Sequence, residues 1–154
     1  MADETMATAD QAARKGWMGL LARAPAAEVK RLWDDLGREV DFDWLRAPEI
    51  GGVMVRGRTG GTGAAFNLGE MTVTRCSLRL ADGTVGHAMV QGRDRDKARV
   101  AALVDALMQG AAAEDLRARL LRPLEDAMTA AAGKRAARAA RTKVDFFTMV
   151  RGED

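Results

Sequence analysis

The sequence predicts an α+β domain, and three observations carry that prediction. Apolar residues recur at helical spacing before residue 37, alternate with polar ones from residue 40 to residue 91, and return to helical spacing after Asp94. The alternating part contains Ala81-Asp82-Gly83, a strong hairpin signal between two strand-like runs. With 154 residues the chain fits one domain, expected to span 1–154. Residues 1–9 are expected to be disordered, and 144–154 to form a C-terminal interaction tail.

Two N-terminal helices come first. Ala13, Trp17, Leu20, Leu21 and Ala24 share one helical face, with Asp10 placed to cap the start. Gly16 and Gly19 weaken this helix unless something packs closely there. Pro25 opens a second helix, Val29, Leu32, Trp33 and Leu36 form its apolar stripe, and Gly37 ends it. Val40, Phe42 and Trp44 then alternate, Pro48 interrupts, and Val53 to Arg56 resumes an extended run. Gly57 to Gly63 is a loop by composition. Met71–Leu80 and Thr84–Gln91 form the hairpin, with Thr74, Cys76, Leu78 and Leu80 facing the core and Arg75, Ser77 and Arg79 facing out. Together these predict a small antiparallel sheet of three or four strands with one wet face.

Asp94 caps the clearest helix, where Val100, Leu103, Val104, Leu107 and Met108 follow helical periodicity and Gly110 closes it. Another helix starts near Ala113, carries Leu116, Leu120, Leu121 and Leu124, and is bent or broken at Pro123. Met128 to Arg141 is Ala-rich and helix-prone but has no convincing apolar face.

Composition narrows the chemistry. The 47% hydrophobic fraction suffices for a core, although 30 of those residues are alanine. No apolar run approaches the length of a membrane span. The N-terminus lacks the basic start of a secretory signal, so a cytoplasmic location is expected. One cysteine excludes an internal disulfide, and one histidine excludes a zinc site built on two. No metal site, bound cofactor or catalytic residue is therefore assigned. Net charge is +2, yet arginine outnumbers lysine 19 to 5, which suits anionic ligands, nucleic acid or acidic protein surfaces.

Several motifs invite a functional reading. The amides of Gly60, Gly61 and Gly63 could cradle a phosphate with Arg58 nearby, but Phe66 stands where a dinucleotide fingerprint needs glycine. A flexible connection between strands is the plainer account. Gln91 and Arg93 flank a strand-to-helix junction, where a helix N-terminus favours anions, although Asp94 already occupies the cap. His87 reads as a partly buried sheet residue, and Cys76 as a buried, inert thiol. The basic run from Arg117 to Lys143 has no interleaved aromatic, so a solvated helical face is favoured and nucleic-acid binding is unlikely. Asp145, Phe146, Phe147, Met149 and Arg151 make the tail too apolar for a free end, so it either folds back or docks on a partner.

Seven strings occur in one order and spacing: Gly16-Trp17-Met18, Arg46-Ala47-Pro48-Glu49, Gly60-Gly61-Thr62-Gly63, Leu80-Ala81-Asp82-Gly83-Thr84, Val90-Gln91-Gly92-Arg93-Asp94, Asp105-Ala106-Leu107-Met108 and Val144 to Gly152. That pattern resembles the PhnG family, the G subunit of the bacterial carbon–phosphorus lyase system. The resemblance covers about Gly16 to Gly152, excepting the Ala-rich stretch from Met128 to Arg141. It implies phosphonate breakdown under phosphate limitation, with companion subunits H, I, J, K and L as partners. Subunits G, H, I and L together would join methylphosphonate to the ribose C1′ of ATP, a substrate of the complex. Adenine would leave, yielding α-D-ribose 1-methylphosphonate 5-triphosphate. The implied role of this chain is an accessory or assembly subunit without its own catalytic residue. Two alternatives stand beside it: a stand-alone ATP-binding transferase, and a small basic nucleic-acid-binding protein.

Overall fold

The computed structural model describes residues 2–142, with side chains from residue 9 onward. Helix α1 (Ala2–Arg23) runs back over the segment expected to be disordered, and Asp10 lies within it instead of capping its start. Helix α2 (Ala26–Leu36) begins after Pro25, whose extended backbone ends the preceding segment while its carbonyl accepts the Val29 N–H. Gly37 stops α2 in the left-handed conformation (φ 59°), which costs glycine little, and its N–H bonds the Asp34 carbonyl.

Three antiparallel strands follow in the order β1-β2-β3: β1 (Phe42–Arg58), β2 (Ala65–Leu80) and β3 (Val85–Gln91). Pro48 does not end β1 as the sequence suggests. The register slips between Arg46 and Glu49, so the residue without an N–H sits in an irregularity of the ladder and pairing resumes beyond it. Gly57 and Arg58 also belong to β1, and only Thr59 to Ala64 forms the tip of this hairpin. β3 pairs with Val73 to Arg79 alone, leaving the outer halves of β1 and β2 as an unaccompanied ribbon. Its seven steps from Thr72 to Ala65 project about 24 Å from the body of the sheet.

Helix α3 (Arg95–Leu107) is the centre of the core. Ala98, Val100, Ala101, Ala102, Leu103, Val104 and Ala106 are all buried. On one side it meets Cys76, Leu78, Leu80, Ala88 and Val90 of the sheet, with Arg75 and Arg79 left exposed on the opposite face. On the other side lie Leu21, Val29, Leu32 and Trp33, together with Leu116, Leu120, Leu121 and Leu124.

Those last leucines belong to one nearly continuous helical segment: α4 (Ala113–Leu116), a π-helical turn (Arg117–Leu121) and α5 (Arg122–Arg141). Pro123 can neither donate a hydrogen bond nor tolerate the carbonyl four residues earlier in a regular helix. The widened turn, in which Arg122 N–H bonds the Arg117 carbonyl, absorbs this constraint without breaking the helix. Beyond Met128 the helix is largely exposed, as its weak apolar pattern predicts.

Candidate functional site

The junction between β3 and α3 is fixed by a set of polar contacts. Gly92 adopts φ 91°, its N–H donates to Thr72 at 2.9 Å, and its carbonyl accepts from the buried Thr74 hydroxyl at 2.8 Å. Asp94 then caps α3, accepting the Lys97 N–H at 2.8 Å, and its other oxygen pairs with Lys30 Nζ at 2.8 Å. The Lys30 hydrogen bond, followed by the Lys97 N–H, holds the Asp94 carboxyl below the usual carboxylate range. The Lys97 ammonium is buried and donates to the Ala22 carbonyl at 2.9 Å; desolvation pushes its pKa down.

Gln91 and Arg93 stand exposed on this rigid frame. Arg93 forms no ion pair among the described residues, so its charge is presented to solvent beside the start of α3. With Asp94 occupying the cap, the positive charge at this junction is carried by the exposed guanidiniums of Arg93 and Arg95 more than by the helix end itself.

Arg58 and the glycine tip lie elsewhere. Gly60 (φ 60°) and Gly61 (φ 85°) turn the chain, Gly63 N–H donates to the Thr59 carbonyl at 2.8 Å, and Arg58 braces the turn by donating to the Gly63 carbonyl at 3.2 Å. Part of the proposed cradle therefore closes on itself. The ribbon separates this tip from Gly92, which bonds Thr72, by roughly 20 Å or more. The two candidate anion sites of this chain are not brought together.

His87 is exposed, with Nδ1 2.8 Å from Ser77 Oγ, where partial burial was expected. Cys76 is buried, and desolvation raises its thiol to about 11. Asp145, Phe146, Phe147, Met149 and Arg151 lie outside the described residues. Among the described residues no group of three or more His, Cys, Asp or Glu side chains is placed to hold a metal ion.

Sequence reasoning missed the buried carboxylate of Asp105. It accepts from Arg14 Nε at 3.0 Å and Nη2 at 2.7 Å, from Trp17 Nε1 at 2.9 Å and from the His87 N–H at 2.9 Å. That hydrogen bonding raises the Arg14 pKa above its ordinary value. The available signal was an aspartate amid the apolar run of α3, which burial obliges to find donors. Next to this network, α1 and β3 flank a groove of about 460 Å³ lined by Met18, Gly19, His87 and Met89.

The features together define a class: a small α+β domain with a rigid cation-bearing junction and a projecting β-ribbon. Against known proteins, residues 12–152 match the family model described as phosphonate metabolism protein PhnG. The chain is also 44% identical over 153 residues to a protein of Rhizobium meliloti (strain 1021), with 99% of this chain and 98% of that protein covered. That relative is named alpha-D-ribose 1-methylphosphonate 5-triphosphate synthase subunit PhnG. The chain belongs to the PhnG family. Among the described residues no helix is long and apolar enough to cross a membrane.

Proposed function

We propose that this chain is an accessory subunit of an α-D-ribose 1-methylphosphonate 5-triphosphate synthase that serves organic phosphonate catabolism in the cytoplasm. The observation that carries this reading is the end-to-end likeness to a relative named as a subunit of that synthase. The complex joins methylphosphonate to the ribose C1′ of ATP and releases adenine. Subunits H, I and L are the companions for this step, with J and K completing the system. Nucleic acid is not a partner in this reading.

The role of this chain is to complete and assemble a site whose substrates are polyanions. Arg93, held on the Gly92–Asp94 frame with Gln91 beside it, presents a cation that is unpaired among the described residues. Arg58 with Gly60, Gly61 and Gly63 is a second, separate candidate at the ribbon tip. The tail residues Asp145, Phe146, Phe147, Met149 and Arg151 are assigned to docking on a companion subunit.

The test is reconstitution with ATP and methylphosphonate, following adenine release. Adenine should appear only when this chain and its companions are combined. Release by the purified chain alone would overturn the accessory role and favour a stand-alone ATP-binding transferase.

A further inference from the structure

The sheet face that packs on α3 does not stop where α3 stops. Directly paired residues share a face, and Thr74, which points into the core, pairs with Ile50. Met54, paired with Glu70, continues this face; beyond the register shift after Val55, Phe66 pairs with Gly57 and lies with Leu68 on the opposite face of the ribbon. None of these is covered: Ile50 is 40%, Met54 54%, Phe66 44% and Leu68 65% exposed. Gly57 lies beneath Phe66, with the ring edge 3.7 Å from where its Cβ would stand, so on that second face apolar surface reaches almost to the tip.

A two-stranded ribbon of this kind is at best marginally stable alone in water, and apolar side chains exposed on both of its faces call for a covering surface. Its charge indicates what kind. From Ile50 to Thr72 the one acid is the exposed Glu70, toward the base; the two cations are Arg56 and Arg58 nearer the tip, both exposed. Neither forms an ion pair among the described residues, whereas at the base of the hairpin Arg75 meets Glu49 and Arg79 meets Asp43.

We propose that the ribbon is a docking arm that enters an apolar cleft on a companion subunit, with acidic residues at the cleft facing Arg56 and Arg58. This rests on the accessory-subunit reading above. A second copy of this chain fits less well, because its arm brings two more arginines to the contact against a single acid, Glu70, which lies toward the base and away from them.

The full-length chain, co-expressed with its companion subunits, provides the test. Phe66→Ser/Leu68→Ser and Arg56→Glu/Arg58→Glu each remove one half of the recognition at solvent-exposed positions. Each pair should leave the thermal melt of the isolated chain unchanged and weaken recovery in the complex about tenfold or more. Wild-type association should also weaken as salt rises. Undiminished recovery of both variants overturns the proposal. So does an isolated wild-type dimer that Phe66→Ser/Leu68→Ser converts to monomer, which assigns the arm to a second copy. A lowered melt of the isolated apolar variant overturns it too, because the arm is then covered within its own chain. Wild-type chain that joins no companion overturns the accessory-subunit reading itself, without reference to any variant.

Discussion

Asp105 shows how a single polar residue can organise the centre of this chain. Its carboxylate is completely buried and holds Arg14 and Trp17 of α1 together with the His87 backbone of β3. Asp105→Ala strands a guanidinium, an indole N–H and a strand N–H at once, so a loss of about 3–5 kcal/mol is expected in denaturant unfolding. Asp94 acts at the surface with a different signature. Its lowered pKa means that its contribution is complete above the ordinary carboxylate value of about 3.9 and fades as pH falls through the folded value. Lys97 has the same sign of slope in a more alkaline window: its lowered pKa makes the unfolded chain the better proton binder between the folded value and 10.5, so stability rises with pH there as the cost of burying the ammonium is relieved. Asp94→Ala should therefore destabilise by about 1 kcal/mol at neutral pH through the lost cap, and flatten the acid limb of a stability-versus-pH curve. Cys76, 3% exposed and shifted to about 11, should resist alkylation at pH 8 in the folded chain and react once denaturant opens it.

At the scale of elements, the decisive contact is α3 against β3. A Cβ at Gly86 would collide with the Ala102 carbonyl oxygen and lie 2.9 Å from the Ala106 side chain, so glycine sets how closely helix and strand approach. Gly86→Ala should cost about 1–3 kcal/mol, read as a lower denaturation midpoint with secondary structure retained. Much of this level was legible in the sequence because its signals are local. Val29, Leu32 and Trp33 with Gly37 define α2; Asp94 and its apolar stripe define α3; Asp82-Gly83 defines the hairpin. The ribbon was not legible, since Pro48 and the glycines around residue 51 break the alternation that marks a strand. Only pairing with β2 carries β1 through them. A π-helical turn has no sequence period to announce it, so the sequence alone predicts only a bend or break at Pro123. Asp105 stayed hidden for a related reason: its partners are 18 and 88–91 residues away, and periodicity sees only neighbours.

For the molecule as a whole, the candidate site residues divide by how they are held. Arg93 rises from a frame fixed by Thr74, Asp94 and Lys30, none of which depends on its side chain. Arg93→Ala should leave the melting temperature within error of wild type while reducing adenine release by the reconstituted synthase. Loss of activity only in proportion to unfolded protein would reduce Arg93 to a structural residue. Truncation before Val144 separates two roles of the tail in the same way. A docking tail predicts a chain that stays folded but no longer co-purifies with its companions; a self-packing tail predicts an earlier melt or aggregation. The sequence could place both candidates on the chain, but the distance between the ribbon tip and the β3–α3 junction is a property of the register alone.

The two margins of the sheet are unlike. Along β3, Asp105 takes up the His87 N–H and Gln109 donates to the Val85 carbonyl at 2.9 Å, so side chains stand where another strand would have to bond. β1 is the opposite margin, 17 residues long, and is broken by register slips but paired on one side only. Runaway fibre growth needs two receptive margins per molecule, one to accept a neighbour and one to offer itself. With β3 blunted this way, strand addition to the body of the sheet runs through β1 and ends at a closed pair; among the described residues only the ribbon, where Ala65 to Thr72 has no third strand beside it, is open on both sides.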